Sequence, residues 1–228
     1  MDAGWLRVTA LGDSAVLLPM AAVLALWLLF ATPTRRLGVR WVLLLGGCIA
    51  GVAVSKLAYM GWGLHPPGLN FTGLSGHAAL STLVWPAVAG MLAARAGPRL
   101  RAAALAAGAA LALAITISRP QVDAHSVSET VLGALWGLPF AVGFLWRQPR
   151  PLPVQALAGW AALGLAVPLL LGYGRVLPSN RILAVVALKL SGHHRIYNRC
   201  DLPRRLRGDL CRLAPPARAH SRKPNAGH

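Results

Sequence analysis

Ser118-Arg119-Pro120-Gln121-Val122-Asp123-Ala124-His125-Ser126-Val127-Ser128-Glu129 is the stretch on which the reading of this chain turns. It sets a serine, an arginine, a histidine and a carboxylate in the short gap between two apolar runs, 101–117 and 127–146. Ionisable residues at the ends of such runs are costly to hold near lipid and mark functional sites. Working outward, six apolar runs follow one another: 14–31, 41–62, 75–94, 101–117, 127–146 and 154–172. Each is near the roughly 20 residues that carry a helix across the hydrocarbon of a bilayer. The whole chain is 56% apolar and only 13% charged, a balance that excludes an ordinary soluble domain. The expected fold is therefore all-α: a polytopic helical membrane bundle of about six transmembrane helices over residues 1–200. Gly164 and Pro168 interrupt the sixth run, which membrane helices tolerate when neighbours satisfy the backbone. Gly47 and Gly51 form a small-xxx-small face on the second run and predict close packing against a neighbour.

The loops alternate in charge. Arg35, Arg36 and Arg40 lie in 31–40, Arg95, Arg99 and Arg101 in 95–101, and Arg147 and Arg150 in 147–153. The loop 63–74 carries no formal charge, and 118–125 carries Arg119 and Asp123. By the positive-inside rule the first, third and fifth loops are cytoplasmic, so the second and fourth face out. Trp41, Trp62 and Trp146 fall at span ends and read as interfacial belt residues. The net charge of +17 is concentrated late, with 12 Arg or Lys against two Asp from Arg175 onward. A basic tail of this kind suits anionic lipid headgroups. No folded basic module is visible, so nucleic acid is not an expected partner. Residues 201–228, rich in Arg and Pro, are expected to be a disordered tail. Cys48, Cys200 and Cys211 lack zinc-site spacing. Cys48 reads as a packing residue, and Cys200 and Cys211 can pair only in an oxidising compartment. No cleavable signal peptide is expected, because no A-x-A site follows the first run.

Two clusters and a lone lysine carry the chemistry. His125 and Glu129 are four apart, so on a helix they share a face. Glu129 can then accept a hydrogen bond from one ring nitrogen and leave the other as a nucleophile. Ser126-Val127-Ser128-Glu129 also fits a capping box, which would hold Glu129 in place. Ser75-Gly76-His77 opens the third run, where free backbone N–H groups and positive dipole character suit a phosphate oxygen. Ser75 equally fits an ordinary N-cap. Lys56 is the only formal charge between Arg40 and Arg95. It lies roughly 9 Å before the end of its helix and either snorkels to the interface or meets a bound phosphate. Arg119 offers a forked donor set that matches phosphate geometry.

Taken together these residues resemble the type 2 phosphatidic-acid phosphatase superfamily. It spans membrane lipid-phosphate phosphatases, soluble bacterial acid phosphatases and vanadium haloperoxidases. The pattern of that family is K-x6-R-P, then P-S-G-H, then S-R-x5-H-x3-D. Ser118-Arg119, His125 and Glu129 match the third part in spacing, with Glu for Asp. Ser75-Gly76-His77 matches the second, with Leu74 for Pro, and Lys56 the first, with Gly63 in place of the arginine. The resemblance covers about residues 50–140, with both histidine motifs on one side of the expected bundle.

The resemblance implies that His125 attacks phosphorus to form a phosphohistidine, that Glu129 orients it, and that His77 protonates the leaving oxygen. Lys56, Ser75, Gly76 and Arg119 would hold the phosphoryl oxygens. It implies no metal and no cofactor, since cations and amides take that role. The expected activity is hydrolysis of a lipid phosphate monoester or pyrophosphate at the outer membrane face. The expected setting is a bacterial inner membrane with the site toward the periplasm, and the expected partners are lipid phosphate substrate and membrane lipids. The alternative is a non-catalytic lipid-phosphate binder or carrier on the same scaffold, consistent with the absent arginine.

Overall fold

The computed structural model describes residues 3–30, 32–146, 158–175, 177–207 and 211. Among the described residues every regular element is helical. In chain order these are α1 (Ala3–Ala10), α2 (Ser14–Phe30), α3 (Arg35–Trp62), α4 (Gly76–Leu92), α5 (Pro98–Gln121), α6 (Val127–Trp146), α7 (Ala158–Gly172), α8 (Ser179–Ser191) and α9 (Arg204–Arg207). Short 3₁₀ turns cover Thr32–Thr34 and Arg199–Asp201. Each of the six expected runs falls on a helix, from α2 to α7, with 31 and 154–157 outside the described residues. Ala3–Phe30, which joins α1 and α2, and α3, α5 and α6 are long and apolar enough to cross a membrane; α4 is apolar but shorter. The protein is a helical membrane bundle.

Packing follows the glycines. Ideal Cβ atoms on Gly47 and Gly51 of α3 would lie 3.0 Å from the Phe140 ring and 2.1 Å from the Trp136 ring, so the expected small-residue face seats two aromatic side chains of α6. On α6 itself, a Cβ on Gly137 would meet the Ala79 carbonyl oxygen at 2.3 Å and one on Gly133 the Ser75 oxygen at 2.7 Å. Only glycine permits that approach of α6 to the backbone of α4. Helix α4 is thereby enclosed by α5, α6 and α2, while α2 also packs on α3 and α7. Leu17, Leu24, Leu28, Leu83, Val84 and Phe144 fill the space between them.

Trp41 corrects one expectation. It is fully buried, its ring lies 4.8 Å from that of Phe144, and its indole donates to the Ala21 carbonyl at 2.9 Å. Helix α3 begins at Arg35, so position 41 lies well inside the bundle and not at an interface. Trp62 and Trp146 are exposed at helix ends as expected.

From α2 to α6, helices consecutive in the chain alternate in direction. The α1–α2 junction, the end of α3, the start of α4, the end of α5 and the start of α6 therefore gather at one end of the bundle. A segment following α8 closes over the same end. There the His193 ring bonds to the Gly61 carbonyl at 2.8 Å, Tyr197 N–H donates to the Met60 carbonyl at 2.8 Å, and the Tyr59 hydroxyl donates to the Asn198 carbonyl at 2.8 Å. Leu202 is buried, and Cys200 and Cys211 form a disulfide with Cα atoms 5.2 Å apart. Of the expected tail 201–228, the ordered turn and α9 thus occupy the first residues, whereas 208–210 and 212–228 lie outside the described residues.

Candidate active site

Glu129 is the centre of the arrangement. Its position in the first turn of α6 follows from the capping box, and both halves form. Ser126 N–H donates to Glu129 Oε2 at 3.0 Å, and Glu129 N–H donates to Ser126 Oγ at 3.3 Å. Glu129 is fully buried. A buried carboxylate is tolerable only when every lone pair is engaged. Here Oε1 accepts from the N–H and hydroxyl of Thr72, both at 2.6 Å, and Oε2 accepts from Arg199 Nη2 at 2.6 Å. His125 Nδ1 lies 2.8 Å from Oε2. The capping and orienting roles thus coexist in one side chain.

His125 sits in the turn between α5 and α6, where Asp123 adopts a left-handed backbone with φ 53°. Asp123 itself is exposed, so it shapes the turn and stays clear of the site. Burial lowers the His125 pKa to about 4, against the smaller opposing pull of Glu129. The ring is neutral at physiological pH. With Nδ1 committed to Glu129, Nε2 is the nitrogen left to act.

His125 borders a cavity of about 350 Å³. Lys56, Gly76, His77 and Arg119 border it too, from α3, α4 and α5. Five of the seven residues singled out from sequence therefore share one cavity. The other two stand behind it. Glu129 holds His125 from the rear, and Ser75 is fully buried, its Oγ accepting from Ala78 N–H at 3.5 Å and its N–H donating to the Glu129 carbonyl at 3.1 Å. Ser75 is thus an N-cap that ties α4 to α6, and it does not line the cavity.

Lys56 does not snorkel. It is buried, and its Nζ donates to Asn180 Oδ1 of α8 at 2.8 Å. Arg119 Nη1 donates to Thr9 Oγ1 of α1 at 2.7 Å, while its buried Nε has no hydrogen-bond partner among the described residues. His77 Nε2 lies 3.4 Å from Asp13 Oδ2, and Asp13 Oδ1 is held by the Ala15 N–H at 2.8 Å. Leu18, Ile49, Val52, Leu80, Ile182 and Leu183 supply apolar lining to the same cavity. The cavity therefore combines cationic and histidine side chains with apolar lining.

Asp13, Thr9, Asn180, Thr72 and Arg199 escaped the sequence reading. Asp13 offered a signal: it is one of six carboxylates in the chain and immediately precedes an apolar run. Asn180 and Arg199 offered none, since each becomes relevant only when α8 and the segment after it fold back onto α3. Among the described residues no cluster of His, Cys, Asp and Glu could hold a metal ion.

No family model and no solved structure matches the chain. A Klebsiella pneumoniae protein, an uncharacterized 22.5 kDa protein in a cps region, is 39% identical over 202 residues, which cover 87% of this chain and 97% of the relative. The chain belongs to the family of that protein.

Proposed function

We propose that this chain is an integral-membrane phosphatase that hydrolyses a lipid phosphate monoester or pyrophosphate through a phosphohistidine intermediate. The observation that carries the reading is the convergence of Lys56, Arg119, His77 and the Glu129-held His125 on one cavity with apolar lining. The cationic side chains match a phosphoryl group and the apolar lining matches a lipid chain. Arg119 Nε is a donor with no partner among the described residues, as suits an oxyanion ligand.

The chemistry follows from these placements. His125 Nε2 attacks phosphorus, and the P–O bond to the leaving group breaks. His77, oriented by Asp13, gives its proton to the departing oxygen. Water then attacks the phosphorus of the phosphohistidine, His77 takes a proton from that water, and the P–N bond breaks to release phosphate. Lys56, Arg119 and the backbone at Gly76 stabilise charge on the equatorial oxygens, the dominant contribution in phosphoryl transfer.

The same reading sets the site on the periplasmic face of a bacterial inner membrane. The arginines at 35, 36 and 40 belong to the opposite end of α3. The disulfide beside the site is the kind of bond that persists in oxidising compartments. Purified protein in detergent, assayed for phosphate release across phosphatidate, phosphatidylglycerol phosphate and polyprenyl pyrophosphate, tests the activity. Release from at least one, surviving EDTA and blocked by vanadate, is expected. Binding without release from any of them would make the protein a carrier, and strict dependence on an added divalent ion would point to other chemistry. Cysteine placed at position 68 should react with a membrane-impermeant reagent from outside, and cysteine at position 98 should not.

A further inference from the structure

The segment after α8 does more than cover the bundle end. Arg199 reaches the rear of the catalytic pair with three bonds: to Asn70 Oδ1, to Thr72 Oγ1 at 3.2 Å and to Glu129 Oε2 at 2.6 Å. Asn70 and Thr72 belong to the loop between α3 and α4. That loop is bound to α6 from the other side, because the hydroxyls of Ser126 and Ser128 both donate to the Asn70 carbonyl at 2.5 Å. Arg199 therefore cross-links the loop, the carboxylate and the segment that carries it.

The segment is built to hold that arginine still. Asn198 Oδ1 accepts from Cys200 N–H at 2.8 Å, Asp201 Oδ2 accepts from Asn198 N–H at 2.8 Å, and Arg195 Nη1 donates to Asp201 Oδ1 at 2.9 Å. The next residue after Arg199 is Cys200, covalently tied to Cys211. Gly63 explains the route taken. It ends α3 with φ 68°, and a Cβ there would lie 3.1 Å from the Tyr197 ring. A glycine thus leaves room for the segment to lie across the end of α3 and deliver Arg199.

We infer that Arg199, held in a disulfide-closed strap, is a positioning residue that fixes the Glu129 carboxylate and through it the orientation of the His125 ring. This rests on the phosphohistidine reading for its effect on turnover, but its structural core does not. Arg199 shares Oε2 with His125 and balances the charge of Glu129 there. The other charged or titratable groups around the ring are Lys56 from α3, His77 from α4, Arg119 from α5 and Asp13 from the α1–α2 junction. None of them bonds to Glu129 among the described residues, so removing Arg199 leaves the ring facing an unbalanced carboxylate.

The test uses full-length protein in detergent with ¹⁵N-labelled histidine, and it follows the His125 ring nitrogens against pH. In Arg199→Met the titration midpoint should rise by about one pH unit or more, and Arg199→Lys should restore most of the wild-type value. An unchanged midpoint in Arg199→Met would overturn the role of Arg199. Reducing the wild type with a dithiol changes no residue, and the third cysteine, Cys48, is buried in α3. Reduction should move the midpoint in the same direction, and no movement would overturn the role of the disulfide. In turnover, Arg199→Met should lower kcat by roughly tenfold or more with KM changed less than about threefold; an effect confined to KM would show a substrate contact and overturn positioning. If the wild type releases no phosphate, the phosphatase reading fails while the titration still decides this one.

Discussion

At the scale of single residues, the site is two histidines, each paired with a buried carboxylate, and the two pairs were unequally visible beforehand. His125 and Glu129 sit one helical turn apart in sequence, so their contact follows from helix geometry alone. His77 and Asp13 are joined only by tertiary packing, and no local pattern announces them. The neutral ring of His125 makes a prediction with a definite sign. Burial depresses its pKa to about 4, so the proposed nucleophile stays deprotonated until the pH falls through that value. The rate of phosphohistidine formation should therefore drop as pH falls through about 4. A loss centred at the ordinary histidine value of about 6.5 would mean that the ring is solvated. His125→Ala should abolish turnover in folded protein, since it removes the proposed nucleophile. For Asp13→Asn the expected result is a kcat reduced about 10- to 100-fold with the phosphoenzyme still trappable, because the acid and not the nucleophile is disturbed. Wild-type kcat in Asp13→Asn would remove Asp13 from the mechanism.

At the scale of helices, length and apolarity placed each expected run on a helix, and the small residues of α3 foretold close packing against a neighbour, which is α6. What the pattern hid was where helices begin. Arg35 and Arg36 read as loop charges, yet they open α3, and that displacement carries Trp41 from the interface into the core. Helix α8 was hidden for a related reason: its apolar stretch is too short to span, and its worth lies in delivering Asn180 to Lys56. The glycines of α6 give a stability prediction. A methyl at Gly137 meets backbone, the Ala79 carbonyl, which cannot rotate away. Gly137→Ala should destabilise the bundle by about 1–3 kcal/mol despite alanine's better helix propensity. Gly46, on the same helix as Gly51 but with nothing within 4 Å of its Cβ position, supplies the control. Gly46→Ala should be neutral or stabilising by up to about 1 kcal/mol. Thermal unfolding in detergent measures both, and equal effects would show that the α4–α6 approach is looser than described.

At the scale of the molecule, the candidate site is assembled from the whole length of the chain. Thr9 and Asp13 come from its start, Lys56 to Glu129 from its middle, and Asn180 and Arg199 from beyond the last expected span. The basic composition after Arg175 suggested a loose tail at the membrane surface, and composition could not distinguish a structural arginine from a solvated one. The disulfide draws the distinction. It ties Cys211 to Cys200, and we therefore propose that the working part extends to Cys211, past the boundary expected at residue 200. Two truncations test this placement. Removing 212–228 keeps the disulfide and the bonds of Arg199 to Asn70, Thr72 and Glu129, and phosphate release in detergent should stay within about twofold of wild type. Removing 204–228 deletes Cys211 while leaving Arg199 in the chain. Its strap is then held by hydrogen bonds alone, each worth about 1 kcal/mol net, and kcat should fall several-fold, to roughly the level of the reduced wild type. Equal activity in the two truncated proteins, both folded, would mean that the disulfide adds nothing to the site and that the active fold ends before residue 204.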